Sequence, residues 1–158
     1  MATPIVFTAG QVVTAAELNT LGAAVDTYTP ALTAATTSPT LGSGSAVTGQ
    51  YAQLNWLAAV WLDITFGTSG TSAGSGEYRV SLPANIEPGA ATGMVIGSGL
   101  IWDSDGSSLL QVTFEMVSGQ PGVAKMAVEA GTRVTHAAPW AWAASDRITG
   151  HLLYPADW

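Results

Sequence analysis

The chain has 158 residues, no cysteine and a net charge of −7, a length that suits one domain plus a short appendage and can bury enough surface to fold unaided. The missing thiols exclude a disulfide framework, a thiolate metal site and a cysteine nucleophile. Its four basic residues, Arg79, Lys125, Arg133 and Arg147, are too few and too scattered to neutralise phosphates, which argues against nucleic acid and against an anionic membrane surface as partners.

The opening segment, with Pro4 and Gly10 as breakers, reads as extended chain. It has neither a basic start nor a long apolar run, so we expect no signal peptide and synthesis in a cytoplasm. Thr14-Ala15-Ala16-Glu17 has the pattern of a capping box, in which Thr and Glu each satisfy an exposed amide near the other. Leu18, Leu21, Val25 and Tyr28 follow at helical spacing, and Pro30 prevents continuation. The spacing predicts a helix over residues 15–27. At that length it is marginal alone, so its stripe is expected to pack either on its own domain or on a neighbouring copy or protein. Residues 1–28 are thus read as an anchor segment and 29–158 as a β-domain.

Beyond residue 29 the pattern is short apolar runs punctuated by Gly, Ser and Pro. Thr33–Ser45 reads as loop or edge strand. Strands are predicted at Val47–Leu54, Ala58–Phe66, Gly76–Leu82, Met94–Trp102, Leu109–Val117, Val123–Ala130 and Ile148–Tyr154. Val60, Leu62, Ile64 and Phe66 alternate with Trp61, Asp63 and Thr65, which gives a strand one apolar face. The run Gly67–Gly76 (GTSGTSAGSG) reads as a mobile tip or long loop. The expected fold class is mainly β: an antiparallel β-sandwich or jelly-roll-like domain with a short N-terminal α-helix. The longest nearly uncharged apolar stretch, Leu54–Leu62, is far shorter than the roughly 20 residues a membrane helix needs.

Only 9% of the residues are charged, against about 25% in ordinary soluble domains. Polarity comes from 19 threonines and 13 serines instead. A lone monomer of this kind is poorly protected from association, so we expect much of its surface to be shared among identical copies or with a larger assembly.

Candidate chemistry is sparse. His136 and His151 have no metal-ligand spacing to Glu129 or Asp146 and read as surface histidines. No GxSxG elbow supports a serine hydrolase. Glu115 and Glu129, on adjacent predicted strands, are a nominal carboxylate pair for glycan hydrolysis; a structural role is preferred for each. Asp103-Ser104-Asp105-Gly106 resembles the first half of a calcium loop, but the acid expected six residues after that glycine is Val112. Asp103 and Asp105 are therefore read first as turn residues and only weakly as calcium ligands; no cofactor is expected. Of the six tryptophans, Trp56, Trp61 and Trp102 are assigned to core or subunit interface. Trp140 and Trp142 would share one face of a strand; with the terminal Trp158 they are left as interface or glycan-stacking aromatics.

Four pieces of the chain, in order, resemble a known family. Phe7-Thr8-Ala9-Gly10-Gln11-Val12-Val13-Thr14-Ala15-Ala16-Glu17-Leu18-Asn19 resembles the AGxVLTAAxLN opening of small tail-fibre, minor tail and head-fibre proteins of phages infecting actinobacteria. Tyr28-Thr29-Pro30-Ala31-Leu32-Thr33 resembles the YTPTLT that begins their β-domain. Gly74–Pro83 (GSGEYRVSLP) resembles their GxGxYxxSLP strand, and Trp142–Gly150 (WAASDRITG) their closing WAAGDxIxxxGxYE strand, with Ser145 in place of the usual glycine. The resemblance implies a homotrimeric, non-enzymatic β-rich virion protein attached to the particle through its N-terminal segment, with other tail or capsid proteins as partners. The alternatives are a capsid decoration or head-fibre protein, and a receptor-binding module that recognises a host-surface glycan through exposed aromatics and loop 67–76. A glycan-degrading enzyme stands third.

Overall fold

The alternation around Val60 sets the plan of the molecule. In the structure, a computed structural model that describes residues 9–12, 14, 15, 25–54, 56–84, 88 and 93–156, nine strands are assigned among the described residues. They are β1 Val25–Tyr28, β2 Leu32–Ala34, β3 Ala46–Leu54, β4 Leu57–Thr65, β5 Tyr78–Ser81, β6 Val95–Asp103, β7 Ser108–Val117, β8 Gln120–Ala127 and β9 Arg147–Pro155. All join one antiparallel sheet in the order β1-β3-β4-β9-β6-β7-β8-β5-β2. The seven strands read from the sequence are present, each shifted by a few residues at most.

The two edge strands of this sheet are consecutive in the chain. Tyr28 ends β1 and Leu32 begins β2, so four Cα steps, about 14 Å at full extension, separate opposite edges of a nine-stranded sheet. The sheet therefore has to curl, and it forms a half-barrel around one core. Pro30 suits the crossing, because its missing N–H removes a donor where the ladder changes partners. Ser81 fastens the far edge: its N–H donates to Ala31 O at 2.9 Å and its Oγ accepts from Ala31 N at 2.8 Å.

A single long hairpin makes both ends of the sheet. Leu54 faces Leu57 at its tip, and β3 and β4 pair without interruption back to Ala46 opposite Thr65. The same two arms continue outward as bridges Ser43–Ser69, Thr40–Ser72 and Thr37–Ser75, and finish as the β2–β5 ladder. Residues 67–76 are thus one arm of a paired ribbon, not a mobile tip. Its glycines explain the pairing: a Cβ on Gly74, whose φ is +66°, would stand 2.2 Å from Thr37 O, and one on Gly67 would stand 2.2 Å from Ser43 O. The composition that suggested flexibility allows two backbones to touch.

The expected helix does not extend over residues 25–27, which belong to β1. Val25, Thr27 and Tyr28 are β-branched or aromatic and suit a pleated surface. Tyr28 also lays its ring over Gly49 and meets Tyr51 edge-on at 6.2 Å. Leu18, Leu21 and the Ala16-Glu17 half of the capping box lie outside the described residues. Since β1 is part of the sheet, the β-domain includes Val25–Tyr28.

The concave side is filled by Val60, Leu62 and Ile64 from β4, Ile148, Leu152 and Tyr154 from β9, Val112, Phe114 and Met116 from β7, and Tyr78 and Val80 from β5, all buried. Gly150 sits opposite Gly99 on the neighbouring strand. A Cβ on Gly150 would lie 2.8 Å from the Phe114 ring, so its absence makes room for that side chain.

Candidate functional site

Several of the polar residues singled out from the sequence have structural partners. Asp103 Oδ1 accepts from Asp105 N at 3.1 Å and Gly106 N at 2.9 Å, closing the turn between β6 and β7. No group of three or more metal-capable side chains is found among the described residues. Glu115 is held by Arg133 at 2.6 Å and Lys125 at 3.8 Å; Arg133 and Arg79 also flank Glu77, at 3.8 and 3.9 Å. Glu129, on an exposed 3-10 turn, Glu129–Gly131, lines one depression with Glu115, Thr113 and Gln111. Arg147 and Asp63 form a bidentate pair, with Arg147 Nε donating to Asp63 Oδ1 at 2.8 Å and Nη2 to Oδ2. Asp63 holds the guanidinium charged by hydrogen bonding and by its charge, raising the Arg147 pKa above its ordinary value. All four cations of the chain thus have a carboxylate partner. His136 is a local fastener, its Nδ1 accepting from Gly76 N at 3.1 Å.

Trp140 and Trp142 are placed differently from a strand face. They lie in the loop before β9 with ring centroids 5.6 Å apart, and Trp142 packs on Phe66 at 5.6 Å and Tyr78 at 5.4 Å. Trp142 is buried, its Nε1–H donating to Thr135 O at 2.9 Å. It is a core residue and not an exposed stacking or interface aromatic. Trp140 is half-buried and donates from Nε1 to Asp146 Oδ2 at 3.2 Å. Asp146 organises this loop: wholly buried, it also accepts from Ala143 N and Ser104 N, both at 2.9 Å. Such charge-assisted bonds to amides replace the water a buried carboxylate loses. Trp158 lies outside the described residues.

The unfilled chemistry is on the convex face. Trp56, Trp61 and Trp102 are 58%, 40% and 43% exposed, so none is a core residue. Two regions differ in character. At the hairpin-tip end, Val25, Ala52, Ala59 and Leu153 form one cross-strand row, with Leu54 opposite Leu57 in the next; Val25, Leu54 and Leu153 are each more than half exposed. Farther along, Gln50, Trp61, His151 and Ser98 form one row, Thr48, Asp63, Thr149 and Leu100 the next, and Arg147 with Trp102 begins a third. The strand alternation of β4 put Trp61 and Asp63 on the outer face. That Arg147 and His151 would stand beside them depended on β9 pairing with β4, which no local pattern encodes.

Comparison with protein-family models, with curated proteins and with solved structures finds no match to this chain.

Proposed function

We propose that the protein is a structural component of a bacteriophage particle: a trimeric fibre or minor tail module of jelly-roll type, attached to the virion through its N-terminal segment. The observation that carries this reading is the apolar end of the convex face. Leu54, Leu57, Leu153 and Val25 are exposed on neighbouring paired strands, with Trp56 exposed in the turn between β3 and β4, and contiguous apolar surface on a soluble chain marks an interaction site. The charge inventory agrees, since every Lys and Arg has a carboxylate partner and most of the chain's remaining polarity comes from hydroxyls. The wrapped hairpin that supplies both ends of the sheet is the kind of winding a jelly roll requires. The four motifs shared with small phage appendage proteins supply the virion context.

Light scattering on the purified chain tests the assembly, with about three subunits expected. Leu153→Glu, which puts a charge into the row without touching the core, is expected to yield monomers. A wild-type protein that is monomeric at micromolar concentration overturns the reading. Immunogold labelling of intact particles then locates the protein: label on the tail supports a fibre or minor tail component, label on the head moves the proposal to capsid decoration, and unlabelled particles refute it. Deleting residues 1–24 is expected to leave a folded β-domain that no longer joins particles.

A further inference from the structure

We infer that the convex face of β4, β9 and β6 is a binding platform for a neutral oligosaccharide, with Trp61 and Trp102 as its two stacking surfaces. The inference does not rest on the virion reading and uses a different part of the face from the apolar row assigned to neighbouring copies. Trp61 lies opposite His151, and Trp102 lies opposite Arg147. The tryptophans therefore occupy opposite corners of a three-strand patch. They are two strands apart across the sheet and four residues apart along it, a diagonal of about 16 Å from ordinary strand spacings. That span exceeds one sugar ring, so a chain of several is the ligand that reaches both.

Around Trp61 the surface is polar, while Trp102 is flanked by the exposed Leu100 and, on β7, by Leu109. A shallow depression of about 560 Å³ beside Trp61 is lined by Thr48, Gln50, Asp63, Arg147, Thr149 and His151. Indole faces take the C–H side of a sugar ring, while amide, hydroxyl, imidazole and carboxylate groups around them bind its hydroxyls. This mixture of one apolar plane and convergent polar groups is what small-ligand sites generally use. The ion pair decides the charge of the ligand. Arg147 is already held by both oxygens of Asp63, so it has no unneutralised charge to offer an acidic sugar, and the chain's net charge of −7 repels one. The pair still presents outward N–H and carboxylate lone pairs to a hydroxyl. A protein partner fits less well, because covering this patch would bury an ion pair and several polar side chains that it must match one by one.

The test is a titration of the full chain, followed by intrinsic tryptophan fluorescence, with neutral gluco-, manno- and galacto-oligosaccharides from disaccharide to hexasaccharide and with acidic counterparts of the same lengths. Binding is expected for at least one neutral series, rising in affinity with length until both indoles are covered. Trp61→Ala and Trp102→Ala are each expected to weaken it about tenfold, the usual cost of truncating an aromatic anchor. Trp61→Phe should recover part of the loss, and Trp56→Ala should bind as wild type does. Circular dichroism of each variant separates lost binding from lost fold. No response to any neutral series, equal binding by Trp61→Ala and wild type, or stronger binding of the acidic series would each overturn the proposal. Failure here leaves the particle-labelling outcome untouched, so the two readings fall separately.

Discussion

Asp146 and Tyr78 show how single polar groups tie this fold together. Asp146 holds Trp140, Ala143 and Ser104 from a fully buried position. Its replacement by Ala leaves those donors without an acceptor and is expected to cost about 3 kcal/mol or more in chemical denaturation. Tyr78 donates its hydroxyl to Ala73 O at 2.7 Å, fastening the ribbon arm to the core, and Tyr78→Phe should cost about 1 kcal/mol. Burial, reinforced at Tyr78 by the nearby Asp146 charge, pushes the phenols of Tyr28 and Tyr78 well above their ordinary range. Both are neutral in the folded chain. Their contribution is therefore fully present below about pH 10, where the unfolded phenol titrates, and is lost as the pH rises further. Denaturation curves collected through this range should show falling stability for the wild type and a shallower fall for Tyr78→Phe.

At the level of elements, what was legible in the sequence is what has a short period. The β4 alternation of Val60, Leu62 and Ile64 against Trp61 and Asp63 gave both the core face and the outer face correctly, and the seven strands beyond residue 45 followed from similar runs. Where a segment's role is set by a distant partner, local reading fails. Val25 and Tyr28 fit a helical stripe as well as a strand; the free edge of β3 decides, and β3 is two dozen residues away. Residues 67–76 read as a mobile hairpin tip or long loop because Gly and Ser dominate, yet residues 35–45 run alongside and bond to them. Trp140 and Trp142 looked like strand neighbours, but the Asp146 loop turns one into the core. The ribbon is a direct check on this account. Gly74→Ala, with its positive φ and a Cβ 2.2 Å from Thr37 O, is expected to destabilise by about 2 kcal/mol. Amide exchange should accelerate first at Thr37 and Ser75, whose backbone groups bond to each other across the gap.

For the molecule as a whole, the curled sheet separates two surfaces by curvature. The concave side is closed by its own aliphatic and aromatic side chains, and among the described residues the apolar row and Trp61 and Trp102 stand exposed on the convex side. There, aliphatic residues cluster near the hairpin tip on β1, β3, β4 and β9, while hydroxyls, amides and one ion pair surround Trp61 farther along, with Leu100 and Leu109 beside Trp102. A combined variant, Leu57→Glu with Leu153→Glu, should change the mass in solution without shifting the thermal midpoint of the isolated domain by more than a few degrees, since both side chains point outward. Loss of fold instead of loss of association would show that the row is part of the core.

The position of β9 has a consequence for how the chain comes into being. The most C-terminal of the described strands, β9, is inserted between β4 and β6, near the middle of the sheet. Until it is in place, the hairpins on either side hold unsatisfied edges and cannot join. Native structure must therefore wait until β9 has been made, and a nascent chain that lacks it holds two sticky half-sheets. Polypeptides stopped before Arg147 should accumulate as aggregates, and adding a peptide that carries β9 in trans should rescue them by completing the ladder.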